Sequence, residues 1–224
     1  MRLWLRNNSL AVFFGLLFLA ALVGQSLAGH RAFNQDALEH GSETISYARY
    51  LVSSEFGEAV LENWQSEFLQ FTFFIAATIW LIQRGSNESK PPEDLGRESD
   101  ERQLVGDHAQ PNSPRWAEVG GWRTALYSNS LLLVMTGIFF ASWFVQSVTG
   151  LTEYNDSQRD HDQPTISWAS YLARADFWEK TLQNWQSEFL AVGTMAVFTI
   201  YLRQRGSPES KPVGAPHDQT GTSG

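Results

Sequence analysis

The chain has 224 residues, no cysteine and a formal net charge of −8 at pH 7. The lack of cysteine excludes disulfides, thiolate metal sites and cysteine nucleophiles, and the acidic balance argues against nucleic acid as a partner. The sequence contains no Walker, Rossmann, Gly-x-Ser-x-Gly or His-Glu-x-x-His pattern. We therefore expect no enzyme, no catalytic residues, no cofactor and no metal site.

Four windows of the chain are almost free of charge, although the mean hydropathy of the whole chain is −0.25. A window that is apolar on every side is typical of a helix in lipid, and about 20 residues cross the hydrocarbon layer. The sequence predicts transmembrane helices at about 9–28, 64–84, 128–149 and 185–205. The predicted fold class is an all-α integral membrane protein with four transmembrane helices.

The first window also has the features of a cleavable secretory signal, with two arginines before its apolar centre. An internal repeat argues against that interpretation. NWQSEFL occurs at 63–69 and again at 184–190, and the same offset of 121 residues aligns QRGSNESKP (83–91) with QRGSPESKP (204–212). The first window therefore aligns with an internal segment, and we expect it to be a membrane helix.

Each repeat contains two crossings, so both repeats are expected to enter the membrane from the same side as parallel repeats. The predicted segments are repeat one (2–91) with outer loop 29–63, a flexible cytoplasmic linker (92–122), repeat two (123–212) with outer loop 150–184, and a disordered tail (213–224). Aromatic residues and leucine share one helical face at 44–53 and 165–174, which predicts amphipathic helices in the outer loops. The next helix should begin near residues 55 and 176 and continue into the second crossing.

The distribution of cations predicts the orientation. Eleven of the 16 Lys and Arg residues lie on the side of the termini and the linker, and five lie in the outer segments. Because excess Lys and Arg mark the cytoplasmic side, both termini are predicted to be cytoplasmic.

The repeated heptapeptide places a carboxylate just inside the predicted outer boundary of the membrane. A helix rises about 30 Å between Trp64 and Arg84, which matches the hydrocarbon thickness and puts Glu67 and Glu188 about 4.5 Å inside. A carboxylate at that depth should face protein or a wet cavity. We therefore predict two polar clusters in which a side chain of the same half hydrogen-bonds each Glu. Their members are Gln25, Ser26, Asn63, Trp64, Gln65, Ser66, Glu67, Gln146, Ser147, Asn184, Trp185, Gln186, Ser187 and Glu188.

Two interpretations of these clusters stay open at this point. In one, amides and hydroxyls satisfy the carboxylate and hold two helices together. In the other, the clusters form a ligand, ion or proton site. Smaller signals have simpler interpretations. ESKP after each second crossing is favoured as a polar helix stop over a docking motif, and Asn34 and Asn155 are expected to shape turns.

These features in order, an Asn-Ser pair, a Tyr-Leu helix, NWQSEFLQ (63–70) and QRGSNESK (83–90), resemble an uncharacterised bacterial membrane-protein family, domain of unknown function 6766. The resemblance covers residues 2–91 and 123–212, which implies two tandem copies. It also implies a location in the bacterial plasma (inner) membrane, with several passes. It implies no activity.

The expected function is that of a non-enzymatic multi-pass plasma-membrane protein that binds or scaffolds through acidic outer loops. The expected partners are the lipid bilayer and a protein or envelope component on the outer face, and the sequence leaves an oligomer open. The alternative is a small channel or an ion- or proton-coupled transporter that uses Glu67 and Glu188. A third alternative is a metal-sensing outer domain, because His161 lies between Asp160 and Asp162.

Overall fold

A computed structural model describes residues 2–221 of the chain, and within these residues the secondary structure is helical with no strand. The all-α prediction is therefore confirmed. The helices are α1 (Arg2–Asn7), α2 (Ser9–Glu39), α3 (Tyr47–Leu51), α4 (Ser54–Trp80), α5 (Arg115–Glu118), α6 (Gly121–Ser128), α7 (Ser130–Asp160), α8 (Trp168–Leu172) and α9 (Ala175–Tyr201).

Helices α2 and α7 are long and apolar enough to cross a membrane. Each has 31 residues, and their most apolar windows have mean hydropathies of 2.2 and 1.9. Only 6% and 22% of those windows is buried, whereas the core helix of a water-soluble protein is mostly buried. Both helices continue past the predicted ends at residues 28 and 149, because helix-compatible residues without proline follow. The first part of each predicted outer loop is thus helical.

Helices α4 and α9 have 27 residues each and begin at Ser54 and Ala175, as predicted. Their first halves are polar, so they lack the long uncharged windows of α2 and α7. By length and composition, the described chain therefore has two helices that could cross a membrane, where four were predicted.

The ESK segments form the turns that follow α4 and α9. Both helices end four residues earlier than predicted. The Ser89 hydroxyl accepts a hydrogen bond from the Gln83 N–H at 3.0 Å, and Ser210 accepts one from Gln204 at 2.9 Å. These bonds pair backbone donors beyond the helix ends and support the helix-stop interpretation.

The segment predicted as a flexible linker contains short ordered elements. It includes 3₁₀ turns at Pro92–Asp94 and Gly106–His108, followed by α5 and the start of α6. The Thr124 hydroxyl donates to the Trp116 carbonyl at 2.6 Å and joins α6 to α5. The flexibility of this linker in solution stays a prediction.

The chain forms two compact units. Unit 1 comprises Met1–Val60 and Val148–Trp168, and unit 2 comprises Leu61–Ser147 and Ala169–Gly224. Each unit contains residues from both halves of the sequence.

In unit 1, Asn34 and Asn155 each hydrogen-bond both main-chain groups of a non-helical residue that follows their helix, an arrangement we call a clamp. The Asn34 side chain accepts from the Ile45 N–H at 2.8 Å and donates to the Ile45 carbonyl at 3.0 Å. Asn155 makes the same two bonds with Ile166, at the same distances. The expectation that these asparagines shape turns is wrong, because both lie inside helices and act as partners for a distant main chain.

Tyr50 lies in the first predicted amphipathic segment and is buried, with 3% of its surface exposed. Its ring lies 5.5–5.9 Å, between centroids, from those of His30, Phe33 and Phe56. A Cβ at Gly29 would lie 2.2 Å from the Tyr50 hydroxyl oxygen. Glycine is therefore required there for α2 to approach α3.

In unit 2, Trp143 of α7 is surrounded by aromatic rings. Its centroid lies 5.7–6.1 Å from those of Phe139, Phe177, Trp178 and Trp185. Aromatic pairs at such distances contribute packing beyond simple burial of area. The cluster holds α7 against the first turns of α9.

Candidate functional site

The two copies of the repeated heptapeptide contact each other within unit 2. The Trp185 indole N–H donates to the Gln65 side-chain carbonyl at 2.7 Å. The Asn184 amide donates to the Glu62 carboxylate at 2.7 Å. Both bonds join α9 to α4, so the motif forms a polar interface between these two helices.

The order of the contacts gives the relative direction of the two segments. After the polar bonds, Phe73 packs edge-to-face on Phe189 with ring centroids 5.8 Å apart. Further on, the Ser86 and Thr199 hydroxyl oxygens lie 3.0 Å apart. Because both sequence numbers rise together, α4 and α9 run parallel along this interface.

The two identical heptapeptides use different faces. On α4, Gln65, Ser66 and Leu69 are 0%, 1% and 3% exposed. We call this set face A. Its residues recur at the i, i+1 and i+4 spacing that places them on one side of a helix.

On α9, the half-buried residues of the interface are Asn184, Trp185 and Glu188, which we call face B. Face A of one helix therefore meets face B of the other. The face A residues of α9, namely Gln186, Ser187 and Leu190, are exposed. The face B residues of α4, namely Asn63, Trp64 and Glu67, are exposed as well.

The two carboxylates of the motif have different surroundings. Glu188 is half-buried and lies near Ser66, whose hydroxyl donates to the Asn63 carbonyl at 2.9 Å. Glu67 is exposed and lies close enough to act on Glu188 electrostatically. We expected each Glu to be hydrogen-bonded by a side chain of its own half, but Glu188 lies at the interface with the other half, near Ser66. The physical reason is that α4 turns Gln65 and Ser66 to the interface, and Glu67 follows about 100° further around the helix.

In unit 1, Gln25 and Ser26 have partners that the prediction did not include. Ser26 is 3% exposed, and its hydroxyl oxygen lies 2.7 Å from that of Tyr47. Gln25 is exposed, and its amide donates to the Ala59 carbonyl at 3.4 Å. These bonds connect α2 to α3 and to the first turns of α4.

The matching pair on α7 is more buried. Gln146 and Ser147 are each 2% exposed. The Ser147 hydroxyl donates to the Phe144 carbonyl at 2.6 Å, so this serine is satisfied within its own helix. On α9, the exposed Ser187 likewise donates to the Asn184 carbonyl at 2.8 Å.

Glu62 is a site residue that sequence reasoning missed. It precedes Gln65 by three residues and Ser66 by four, and it shares their helical face. The main-chain carbonyl of Glu62 accepts from the Gln65 amide at 3.1 Å, and the Glu62 carboxylate accepts from Asn184. The helical spacing alone identifies Glu62 as part of this face, although it lies one residue before the repeated heptapeptide.

Lys211 is a second missed residue, and it lies in the second ESKP. Its ammonium donates to the carbonyls of Gly85, Pro216, His217 and Gln219 at 2.7–3.1 Å. The residue is 1% exposed, and burial, together with nearby Arg203, lowers the pKa of its side chain.

Because of these bonds, residues 213–221 of the predicted disordered tail pack on the turn that follows α4. The Gly85 N–H also donates to the Thr220 hydroxyl at 2.8 Å. Gly85 has φ +85°, and a Cβ there would lie 2.3 Å from the His217 carbonyl oxygen. Glycine at this position lets the tail approach.

Glu88 and Glu209, at matching positions of the two ESK turns, are close enough to interact. One oxygen of Glu88 is buried and has no hydrogen-bond partner among the described residues. Burial, and to a smaller extent Glu209, raises the pKa of the Glu88 carboxyl. The Asn87 amide donates to the Pro208 carbonyl at 3.1 Å and brings the two turns together.

Comparisons with known proteins give one match. No curated protein and no solved structure matches the chain. A family model described as a domain of unknown function, DUF6766, matches residues 1–222 as one copy. The expected division into two tandem copies of that domain is not shown, since the single match covers both halves. The chain belongs to the DUF6766 family.

Proposed function

We propose that this protein is a non-enzymatic multi-pass membrane scaffold, with α2, α4, α7 and α9 as four spans in the bacterial plasma membrane. In this proposal the spans form two parallel two-helix repeats, and both termini and residues 92–122 are cytoplasmic. The observation that carries the proposal is the pair of hydrogen bonds that Asn184 and Trp185 make to α4.

Those bonds favour a structural role for the repeated motif. Each uses a side-chain donor of α9 and a side-chain acceptor of α4, and polar bonds of this kind stabilise helix pairs in lipid. An ion or ligand site would instead need groups that are free to receive the ion or ligand.

Chain connectivity supports four spans. Helices α2 and α7 can cross in the same direction only if the chain returns between them, and α4 is the long helix in that interval. The later parts of α4 and α9 expose apolar side chains that suit lipid, including Phe71 (45%), Phe73 (55%) and Phe198 (53%).

The outer loops are the proposed binding surface. Residues 29–63 and 150–184 together contain twelve carboxylates and five cations. An acidic surface of this kind attracts a cationic partner, and the proposed partner is a basic protein or envelope component. Neutralising carboxylates at Glu43 and Asp162 should reduce crosslinking to such a partner in intact cells. Neutralising Glu93 in the linker is the matched control and should leave crosslinking unchanged.

Topology is tested with single cysteines, since the native chain has none. An impermeant maleimide should label Glu43→Cys and Gln163→Cys in intact cells, and should label Gly106→Cys only after the cells are opened. Labelling at position 106 in intact cells would contradict the proposed orientation.

A channel or proton-coupled transporter is the second candidate, and the proximity of Glu67 and Glu188 is the observation that favours it. Two surface pockets of the described chain are lined mainly by residues of the linker, α5 and α6 and do not include either Glu. In proteoliposomes, the scaffold proposal predicts no cation or proton flux above that of empty vesicles. Flux that Glu67→Gln or Glu188→Gln abolishes would establish the transporter instead.

A further inference from the structure

Face A and face B bind each other within the chain, and each of them also occurs a second time on an exposed surface. Face A of α4 is buried, and its Gln65 accepts a hydrogen bond from Trp185 of face B of α9. Face A of α9 has the same residues in the same order, Gln186, Ser187 and Leu190, and all three are exposed, Leu190 by 67%.

Face B of α4 has the complementary residues. Asn63, Trp64 and Glu67 are identical to Asn184, Trp185 and Glu188 of α9, and they are exposed, Trp64 by 38%. Face A of α9 and face B of α4 are therefore complementary to each other, and both are accessible to another copy of the chain.

We propose that a second copy of this chain docks head-to-tail, with face B of its α4 on face A of α9 in the first copy. The expected contacts repeat those within the chain. Trp64 of one copy lies against Gln186 of the next copy, and Glu67 lies near Ser187.

The two faces of this interface differ, so it is heterologous, and its repetition produces a closed ring or an open row of chains. Because α4 and α9 are parallel, every chain can keep the same membrane orientation while the contact repeats. A two-fold dimer would instead pair each face with itself.

The membrane setting adds a driving force, and this step alone depends on the proposed function. At the outer edge of a span, Gln186 and Glu67 would otherwise face lipid, where polar side chains favour association with another helix. A neighbouring copy supplies the hydrogen-bond partners that acyl chains lack.

Crosslinking between differently tagged chains tests the proposal. One chain carries Glu67→Cys and the other carries Ser187→Cys, and membranes that contain both are treated with a short bismaleimide. We expect a crosslinked product that contains both tags. Each variant expressed alone should give no product, because face A and face B must both supply a thiol.

The intrachain interface provides the matched control. A chain with Ser66→Cys and Glu188→Cys should crosslink within itself. If this control reacts and the two-tag product is absent, the head-to-tail contact is overturned while the α4–α9 interface stands. If the control also fails, the interface behind the proposed function is overturned too. A product from either variant alone would demonstrate like-with-like pairing and overturn the proposal.

The mass of the solubilised protein provides a second measurement. In mild detergent we expect the native protein at a multiple of its 25.3 kDa chain mass. The variant with Gln186→Leu and Ser187→Ala should have the mass of one chain and unchanged helix content by circular dichroism. A native protein with the mass of one chain, in a detergent that keeps the intrachain crosslink, would contradict the proposal.

Discussion

The same substitution at equivalent glutamines should have unequal effects, since only one of the two is buried. Gln65 is 0% exposed, accepts from the Trp185 indole at 2.7 Å and donates to the Glu62 carbonyl at 3.1 Å. Gln65→Leu keeps a similar volume but removes both bonds. Gln186→Leu changes an exposed side chain.

The loss at Gln65 can be bounded from these contacts. An indole N–H left without its acceptor costs about 1–3 kcal/mol in a buried site, and measured interhelical bonds in lipid average about 0.6 kcal/mol. The Glu62 carbonyl keeps its helical partner and adds little. We therefore expect Gln65→Leu to lower the free energy of unfolding by about 1–2 kcal/mol, and Gln186→Leu to change it by less than about 0.5 kcal/mol.

The assay is unfolding by a denaturing detergent, followed by circular dichroism, at a protein concentration that keeps the chain monomeric. Tryptophan fluorescence of the Trp185 region should shift in the Gln65 variant only. Equal losses for the two variants would refute the assignment of different faces to the two heptapeptides.

Three further predictions concern the clamps and turns. Asn155→Ala should lower the free energy of unfolding by about 2 kcal/mol and speed hydrogen exchange at the Ile166 amide, because two main-chain groups lose their partner. Lys211→Met should release residues 213–221 to limited proteolysis, because four carbonyls lose a shared donor. Burial and Glu209 raise the pKa of Glu88 in the folded chain, so its stabilising contribution is present below the unfolded value of 4.5 and is lost as the pH rises through the folded value. Glu88→Gln should thus raise the melting temperature more at pH 7 than at pH 4.

Matched variants control these experiments. Asn34→Ala should reproduce the Asn155→Ala loss, since the bonds are the same. Lys90→Met should leave the tail protected, because the Lys90 ammonium contacts Gly96 and Glu98 instead. A Glu88→Gln effect that is equal at both pH values would contradict the charge explanation, and unchanged exchange at Ile166 would contradict the clamp.

The parts of the fold that follow from local sequence could be predicted. The starts of α4 and α9 and the stop after each were anticipated, because the sequence signals that begin and end a helix span only a few positions. The lengths of α2 and α7 were underestimated, since hydropathy marks where apolar residues end and not where helical hydrogen bonding ends.

The candidate site was only partly predictable for a different reason. The identical heptapeptides suggested two equivalent clusters. In the structure they are not equivalent, because α4 and α9 pack against each other through different faces of the heptapeptide. Which face of a helix is buried depends on the rotation of its neighbour, so the burial of Ser66 and the exposure of Ser187 cannot be derived from NWQSEFL itself. Asn34 and Ile45 are 11 positions apart, and their pairing depends on how the chain returns after α2.

The hydrogen bonds that tie Gly85 to the C-terminal tail have a consequence for biosynthesis. The Gly85 N–H donates to the Thr220 hydroxyl, which is 135 positions later in the chain, and the Gly85 carbonyl accepts from the Lys211 ammonium. Neither bond can form before those residues are synthesised. At roughly 5–20 residues per second, the ribosome needs about 7–27 s to make the intervening segment. During that interval the turn after α4 stays incomplete, and its polar groups are open to water or to a chaperone. Slowed or interrupted translation between these positions would therefore prolong the state most open to quality-control proteases.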